Sequence, residues 1–205
     1  MDAGQSSPEE RLVLLAKDGN LEAFNSLVDR FQRAVYGLCY RMLGNREAAE
    51  DATQETFLSA YRAISRFEGG NAGGWLLRIA ANESRDELRR RRRRDGAASL
   101  DEMLDREDLP VEVPDPSPGA EALLAAHEAG GELEVLLLRL PFEYRQALVL
   151  VDVYGFRYDE VADLTKASLG TVKSRVHRGR ERLRKLILSS GELSPPAVRQ
   201  NRYDL

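Results

Sequence analysis

Apolar residues in the first half of the chain recur every three or four positions, which is the spacing of one face of an α-helix. The longest run covers about five turns and consists of Phe24, Leu27, Val28, Phe31, Val35, Leu38 and Met42. The sequence LGN that follows is a typical helix end, because glycine readily adopts the left-handed conformation that closes a helix. A second helix is predicted from about Glu47, and a third follows the loop FEGGNAGG. No segment has the alternating pattern of a β-strand.

The predicted second helix has two different sides. Its polar residues lie at i, i+1, i+4 and i+5 and form a compact acidic patch made of Glu50, Asp51, Gln54 and Glu55. We expect the apolar residues of this helix to point into the protein core. They are Ala52, Phe57, Leu58 and Tyr61. The acidic patch would repel DNA and suits a basic protein surface, with a purely solvated face as the simpler alternative.

The predicted third helix carries a stripe of cations around one amide. The stripe has the spacing i, i+4, i+7 and i+11 and consists of Arg78, Asn82, Arg85 and Arg89. Such a surface suits a single nucleic-acid strand, because arginines neutralise phosphates and an amide can hydrogen-bond unstacked bases. A solvated helix face is the alternative. Trp75 is predicted to be a core residue, with stacking on a base as the alternative, and Arg89 to Arg94 a nonspecific phosphate clamp.

Apolar periodicity returns in LEVLLLRLPFEYRQALVLVDVYG and continues into two shorter segments, YDEVADL and LGTVKSRVHRGRERLRKL. In the last of these, one helical face carries Val172, Val176, Leu183 and Ile187, and the opposite face carries Ser174, Arg178, Glu181 and Lys185. The intervening TKAS is a short turn in which Ser168 is a suitable N-cap. This pattern predicts a helix-turn-helix whose second helix enters the DNA major groove. A basic amphipathic helix with a solvated face remains the alternative.

The formal net charge of -4 is unevenly distributed. Residues 1–98 have a balance of +1 and residues 135–205 one of +5, whereas residues 99–134 carry -10. The acidic middle is also rich in proline and poor in aromatic residues, which is typical of an extended linker.

The sequence therefore predicts an all-α chain with two small helical domains joined by an extended acidic linker, the second domain containing the helix-turn-helix. The four predicted segments are 1–98, 99–132, 133–190 and a loose tail at 191–205.

Several classes of function are not expected. Cys39 is the only cysteine and has the spacing of a core residue, so neither a disulfide nor a metal site is predicted, and no cofactor is expected. FEGGNAGG lacks the Lys and Ser/Thr of a phosphate-binding loop, and no nucleophile–base pair is visible, so we expect no enzyme. No apolar run approaches the roughly 20 residues of a membrane span, so we expect a cytoplasmic protein without membrane insertion.

Both modules resemble one family. The first module contains the sequences LVDRFQRAVYGLCYRMLGNREAAEDATQETFLSAYRAISRF and WLLRIAANESRDELRRRRRR. Together they resemble the N-terminal domain of extracytoplasmic-function RNA polymerase sigma factors, a class of the sigma-70 family. LPFEYRQALVLVDVYGFRYDEVADL followed by LGTVKSRVHRGRERLRKL resembles their C-terminal domain. The resemblance covers roughly residues 10 to 94 and 133 to 187. The GTVKSR-type helix also occurs in other regulators, whereas its combination with EDATQETFL upstream is specific.

The resemblance implies a promoter-specific initiation factor that binds core RNA polymerase and promoter DNA and is held inactive by an anti-sigma factor. The C-terminal domain would bind the duplex minus-thirty-five element through Ser168, Thr171, Lys173, Ser174, Arg175 and Arg178. The N-terminal domain would bind the melted minus-ten element through Asn71, Arg78, Asn82, Arg85 and Arg89, with Asn71 in a base-binding loop at 67–74. The acidic patch would bind the polymerase clamp, and the acidic linker would pass through the polymerase cleft. The alternative is a helix-turn-helix repressor or activator that binds duplex DNA alone as a dimer.

One residue departs from the family pattern. Lys166 stands in the helix-turn-helix turn where these proteins commonly have glycine. If the turn requires a positive φ, Lys166 costs about 1 kcal/mol there, because its Cβ crowds the backbone. Otherwise the turn has a different shape, and the second helix a different tilt.

Overall fold

A computed structural model describes residues 8–94 and 131–190. All regular secondary structure in these two ranges is helical, and they belong to two compact units that divide after Glu112. The predicted all-α, two-unit fold class is confirmed. Residues 99–130 of the predicted linker and the predicted tail at 191–205 lie outside the described residues.

The first unit is built around one long helix. Within residues 8–94, helix α2 contacts α1, α3 and α4, and α3 and α4 also contact each other. A short 3₁₀ turn, Ile64–Arg66, follows α3. The bounds are α1 Pro8–Lys17, α2 Leu21–Leu43, α3 Arg46–Ala63 and α4 Ala72–Arg94.

Asparagine and glycine side by side set the sharp connection between α2 and α3. Gly44 ends α2 with a φ of 67°, and its N–H donates to the Tyr40 carbonyl at 2.8 Å. Asn45 then begins α3, because its side-chain oxygen accepts the Ala48 N–H at 2.9 Å. The helix end predicted from LGN is therefore confirmed, and α3 packs directly back onto α2.

The buried face of α3 consists of small residues, namely Ala48, Ala49, Ala52, Thr56 and Ala60. This face packs against large α2 side chains such as Leu38 and Met42, which are fully buried. The prediction that Leu58 and Tyr61 point inward is wrong, since each is 48% exposed. The alanine face lets the two helix backbones approach closely, which leaves the larger side chains of α3 on the outside.

Cys39 lies in this core, as predicted. Burial raises the pKa of its thiol above the ordinary value, and the neighbouring hydroxyls of Ser84, Thr53 and Thr56 oppose this only in part. A buried, neutral thiol of this kind is a packing residue with low reactivity.

Residues 131–190 of the second unit form four helices and one wider helical turn. Helix α8 packs against α5, α6 and α7, so the C-terminal helix organises this unit. Helix α6 continues as a π-helical turn at Val149–Val153. The bounds are α5 Glu132–Leu138, α6 Phe142–Leu148, α7 Tyr158–Thr165 and α8 Leu169–Ser190.

A buried arginine closes the connection between α5 and α6. Arg145 is 5% exposed, and its Nη1 donates to the Leu138 carbonyl at 2.9 Å and to the Leu140 carbonyl at 3.3 Å. Its guanidinium also lies 5.7 Å from the centre of the Phe142 ring. Because the last carbonyls of a helix have no partner within the helix, Arg145 satisfies groups that would otherwise be buried without a hydrogen bond.

Close packing and an ion pair hold α8 against α6. A Cβ at Gly179 would lie 3.0 Å from Leu148 Cγ and 3.3 Å from the Tyr144 carbonyl oxygen, so a larger residue would push these neighbours away by a few tenths of an ångström. Arg180 binds both carboxylate oxygens of Asp152, at 2.6 and 3.0 Å. These contacts fix the body of α8 and leave its N-terminal turns at the surface.

Candidate nucleic-acid and protein interfaces

Two shapes were considered for the turn that contains Lys166. The turn between α7 and α8 has the strained shape, which requires a positive φ. Lys166 has φ 53° and ψ 35°, which is the left-handed conformation, and its N–H bonds to the Ala162 and Asp163 carbonyls. The Ala167 N–H also returns to the Ala162 carbonyl, at 3.1 Å. The turn thus has the geometry that glycine would give it, and the side chain of Lys166 carries a cost of about 1 kcal/mol.

Ser168 is the N-cap of α8, as predicted. Its Oγ accepts the Thr171 N–H at 3.0 Å and lies 2.8 Å from Thr171 Oγ1. One hydroxyl of this pair donates to the other, so the second hydroxyl keeps a hydrogen for an outside acceptor. Both residues lie at the helix terminus that favours anions such as phosphate.

Helix α8 presents the face expected from the sequence. Val172 and Val176 are each 1% exposed and pack inward, whereas Lys173, Ser174 and Arg178 are exposed. Arg175 is half-buried beside them, and His177 is exposed. The side chains predicted to contact DNA therefore lie together in the first three turns of the helix.

Two cations farther along α8 have internal partners. Arg180 is paired with Asp152, and this hydrogen bonding raises the pKa of its guanidinium above the usual value. Arg182 lies 4.8 Å from the centre of the Tyr144 ring. Both residues fasten α8 to α6, which separates them in role from the exposed cations at the start of the helix.

The predicted stripe on α4 is partly organised by its own members. Arg78 is exposed, while Asn82, Arg85 and Arg89 are half-buried. Arg85 Nη2 donates to Asn82 Oδ1 at 3.4 Å, which leaves the Asn82 amide nitrogen to donate elsewhere. Asp86 lies 3.7 Å from Arg89 Nη1. Two of the four side chains of the stripe are therefore hydrogen-bonded to each other, and a third lies near a carboxylate.

The loop before α4 is shorter than predicted. Helix α4 already begins at Ala72, because Asn71 Oδ1 accepts the Gly74 N–H at 3.0 Å and caps the helix. The assignment of Gly73 and Gly74 to the loop is thus wrong. Glycine at 73 serves packing, since a Cβ there would lie 2.8 Å from Phe31 Cε1. Asn71 remains exposed at the end of the loop.

Trp75 packs on the residue at the other end of this loop. The Trp75 and Phe67 rings are 4.9 Å apart at 46°, and Phe67 is buried while Trp75 is half-buried. Sequence reasoning expected a core residue, and the ring is in fact at the edge of the core. The Trp75 ring thus packs against the residue at the start of the loop.

The arginine-rich end of α4 is folded around a carboxylate. Glu87 has a side chain only 6% exposed, and it lies 2.9 Å from Arg91, 3.3 Å from Arg94 and 3.6 Å from Arg90. One internal carboxylate therefore neutralises part of the positive charge of this segment, and its role as a phosphate clamp stays a prediction. A cleft of about 390 Å³ opens beside it and is lined by Asp51, Glu87, Arg90, Arg93 and Arg94.

The outer face of α3 is larger than the acidic patch predicted from the sequence. Glu50, Asp51 and Gln54 are exposed and Glu55 is half-buried, with Glu50 also paired to Arg46 at 2.9 Å. The exposed Leu58 and Tyr61 continue this side of the helix at i+7 and i+10 from Asp51. The α3 face, defined as Glu50, Asp51, Gln54, Glu55, Leu58 and Tyr61, thus combines acidic and apolar groups. The alanines at 48, 49, 52 and 60 were the signal that could have revealed it.

Within the two described ranges, no helix is long and apolar enough to cross a membrane. The same residues contain no group of three or more His, Cys, Asp or Glu side chains placed to hold a metal ion.

Two stretches of the chain match known family models. Residues 27–94 match Sigma-70 region 2, and residues 130–183 match Sigma-70, region 4. SigE of Mycolicibacterium smegmatis, an ECF RNA polymerase sigma factor, is 40% identical over 80% of this chain, which spans only 61% of the relative's length. SigW of Bacillus subtilis, also an ECF RNA polymerase sigma factor, is 35% identical over 86% of this chain and 95% of its own length. The sigma factor RpoE of Bartonella quintana, solved with the anti-sigma factor NepR, has a TM-score of 0.58 at 25% identity and covers 80% of this chain and 96% of that chain.

Proposed function

The chain belongs to the ECF RNA polymerase sigma factors, and we propose on this basis that it binds core RNA polymerase and directs it to specific promoters, with each compact unit contacting a different promoter element. The observation that carries the proposal is the presence of three distinct surfaces in one chain. These are the acidic and apolar α3 face, the cationic stripe on α4 and the exposed start of α8.

The proposed domains are those expected from the sequence. Residues 1–98 bind the polymerase clamp and the minus-ten element, and residues 133–190 bind the minus-thirty-five element. Residues 99–132 form an acidic connection that passes through the basic polymerase cleft. No role is proposed for residues 191–205.

The start of α8 reads the upstream element as duplex. Lys173, Ser174 and Arg178 contact base edges, because they are exposed on the side opposite the buried valines and lie in the turns that enter the major groove first. Ser168, Thr171 and Arg175 contact phosphates. Backbone contacts of this kind set the register of the helix, and the base contacts supply the specificity.

Replacement of Arg178 by alanine is expected to lower discrimination for the upstream element by about 5- to 150-fold, because a bidentate arginine–guanine pair contributes roughly 1 to 3 kcal/mol. Binding to core polymerase should not change. The measurement is competition between promoter fragments with intact and mutated upstream elements, using holoenzyme. Lys185→Ala is the matched control, since Lys185 is exposed on the same face but lies two turns farther from the helix start. An equal loss of polymerase binding in Arg178→Ala would show that the residue supports folding instead.

The α4 stripe binds the minus-ten element as a melted strand. Arg78, Arg85 and Arg89 neutralise phosphates, and the Asn82 amide nitrogen donates to an unstacked base. The Arg85–Asn82 hydrogen bond supports this assignment, because it holds the amide at a fixed position. Asn71 lies at the beginning of the same helix and contacts the strand there.

The α3 face binds the polymerase clamp. An apolar centre with a charged rim is typical of specific protein interfaces, and Leu58 and Tyr61 supply such a centre beside the four polar residues. The acidic rim raises the association rate and selects a basic partner.

Control by an anti-sigma factor is part of the same proposal. The sigma factor RpoE of Bartonella quintana was solved in complex with the anti-sigma factor NepR. A protein that covers the α3 face and the start of α8 would block polymerase and promoter binding together. The chain then acts in the cytoplasm as a binding protein and performs no catalysis of its own.

The test of the proposal is transcription in vitro with core polymerase on a genomic library. We expect new start sites that share two conserved upstream elements at a constant spacing. A tight homodimer that binds a palindrome without polymerase would support the repressor alternative and overturn the proposal.

A further inference from the structure

Lys166 has an unusual backbone conformation for a residue with a side chain. Among residues 8–94 and 131–190 it alone combines a positive φ with a side chain, and the other positive-φ positions are glycines. These glycines are Gly19, Gly44, Gly69, Gly70, Gly131 and Gly155. The chain thus uses glycine wherever else this conformation occurs in the described part, and the lysine destabilises the turn that orients α8.

Among the described residues, no side-chain contact of Lys166 compensates for this strain. The Lys166 side chain is exposed, and its ammonium has no hydrogen bond or ion pair with the described residues. The hydrogen bonds of the turn are made by the Lys166 backbone, which glycine would supply equally well. An outlier that persists without an internal reason is a candidate for a functional contact.

The position of Lys166 identifies the chemistry of that contact. It lies two residues before Ser168, the N-cap of α8, where the unpaired N–H groups and the helix dipole already favour an anion. An unpaired ammonium next to this terminus adds a full positive charge at the edge of the base-reading surface. The complementary group on a duplex is a backbone phosphate, since phosphates flank the groove that the helix enters.

We propose that Lys166 binds a DNA phosphate beside the upstream promoter element, and that the strained turn is retained for this contact. The inference rests on the proposed binding of duplex DNA by α8. It assigns to this chain a contact that a glycine at the same position could not make, at the expense of a less stable turn.

The experiment compares three variants of the full chain, assembled with core polymerase, on a fluorescent promoter fragment in which the upstream element is duplex. Lys166→Gly is expected to raise the unfolding midpoint of the second unit and, in the same protein, to weaken DNA binding about fivefold. The slope of log affinity against log salt should become shallower by about 0.9, the value for one phosphate contact. Lys166→Asn should show the same loss of affinity, because asparagine tolerates the left-handed conformation but carries no charge. Lys166→Arg should bind DNA as tightly as the parent.

Three results would overturn the inference. The first is a Lys166→Gly variant that is more stable but has unchanged affinity and salt slope. The second is a loss in Lys166→Arg equal to that in Lys166→Gly, which would exclude the charge as the cause. Weaker binding to core polymerase in the absence of DNA would assign the ammonium to the polymerase and also reject a phosphate contact. Failure of the proposed function looks different, since the unmodified holoenzyme would then select no promoter.

Discussion

Replacement of Arg145 by methionine is expected to lower the free energy of unfolding of the second unit by about 2 to 4 kcal/mol. Methionine fills a similar volume and removes a buried charge, which alone would stabilise the protein. The substitution also leaves the Leu138 and Leu140 carbonyls without the donor that now lies 2.9 and 3.3 Å away. Because both acceptors stay buried at the junction of α5 and α6, their lost hydrogen bonds dominate the result.

The two units allow this prediction to be measured in the intact chain. The only tryptophan, Trp75, lies in the first unit, so its fluorescence follows that unit. Hydrogen exchange of peptides from α5 to α8 follows the second. We expect faster exchange in the second unit and an unchanged Trp75 transition. Arg139→Met is the matched control, because Arg139 is an exposed arginine at the end of α5, close to the same junction. Equal effects of the two substitutions would contradict a role for the buried hydrogen bonds.

The sequence predicted the helices better than the faces they present. Periodicity located α2 and α8 because large apolar residues mark their buried sides. It failed for α3, where Leu58 and Tyr61 are the largest apolar residues but the buried side is made of alanines. Hydrophobicity alone ranks a leucine above an alanine, whereas close helix packing selects for small volume. The loop before α4 shows the same limit, since Gly73 is a packing residue within a helix.

The sequence also did not predict which charged side chains would pair with each other. Six consecutive arginines at 89–94 indicated a surface for phosphates, and Glu87 lies close enough in sequence to have been weighed. Its side chain is buried among three of these arginines, and this burial depends on the packing of α4 against α3. For Lys166 the sequence left two shapes of the turn open. The positive φ of Lys166 in the structure decides between them.

Reversal of two charges on the α3 face is expected to have the largest effect on polymerase binding. Asp51→Lys combined with Glu55→Lys should weaken binding to core polymerase roughly 100-fold, since like charges placed opposite a basic surface cost several kcal/mol. The direct measurement is a titration of labelled core polymerase at two salt concentrations. Salt should weaken the parent complex more than the variant complex, because the variant has lost the attractive charges.

The position of Asp51 makes a second pair of variants necessary. Asp51 lines the cleft that also contains Arg90, Arg93 and Arg94, so a lysine there adds repulsion inside the first unit as well as at the interface. Asp51→Asn with Glu55→Gln removes the same negative charges without adding positive ones, and it should lose less affinity while unfolding at the same temperature as the parent. Asp18→Lys with Asp29→Lys changes net charge by the same amount at exposed positions outside the α3 face, and it should bind polymerase normally. If this control lost as much affinity as the α3 variant, net charge rather than the α3 face would explain the binding, and the interface would have to be placed elsewhere.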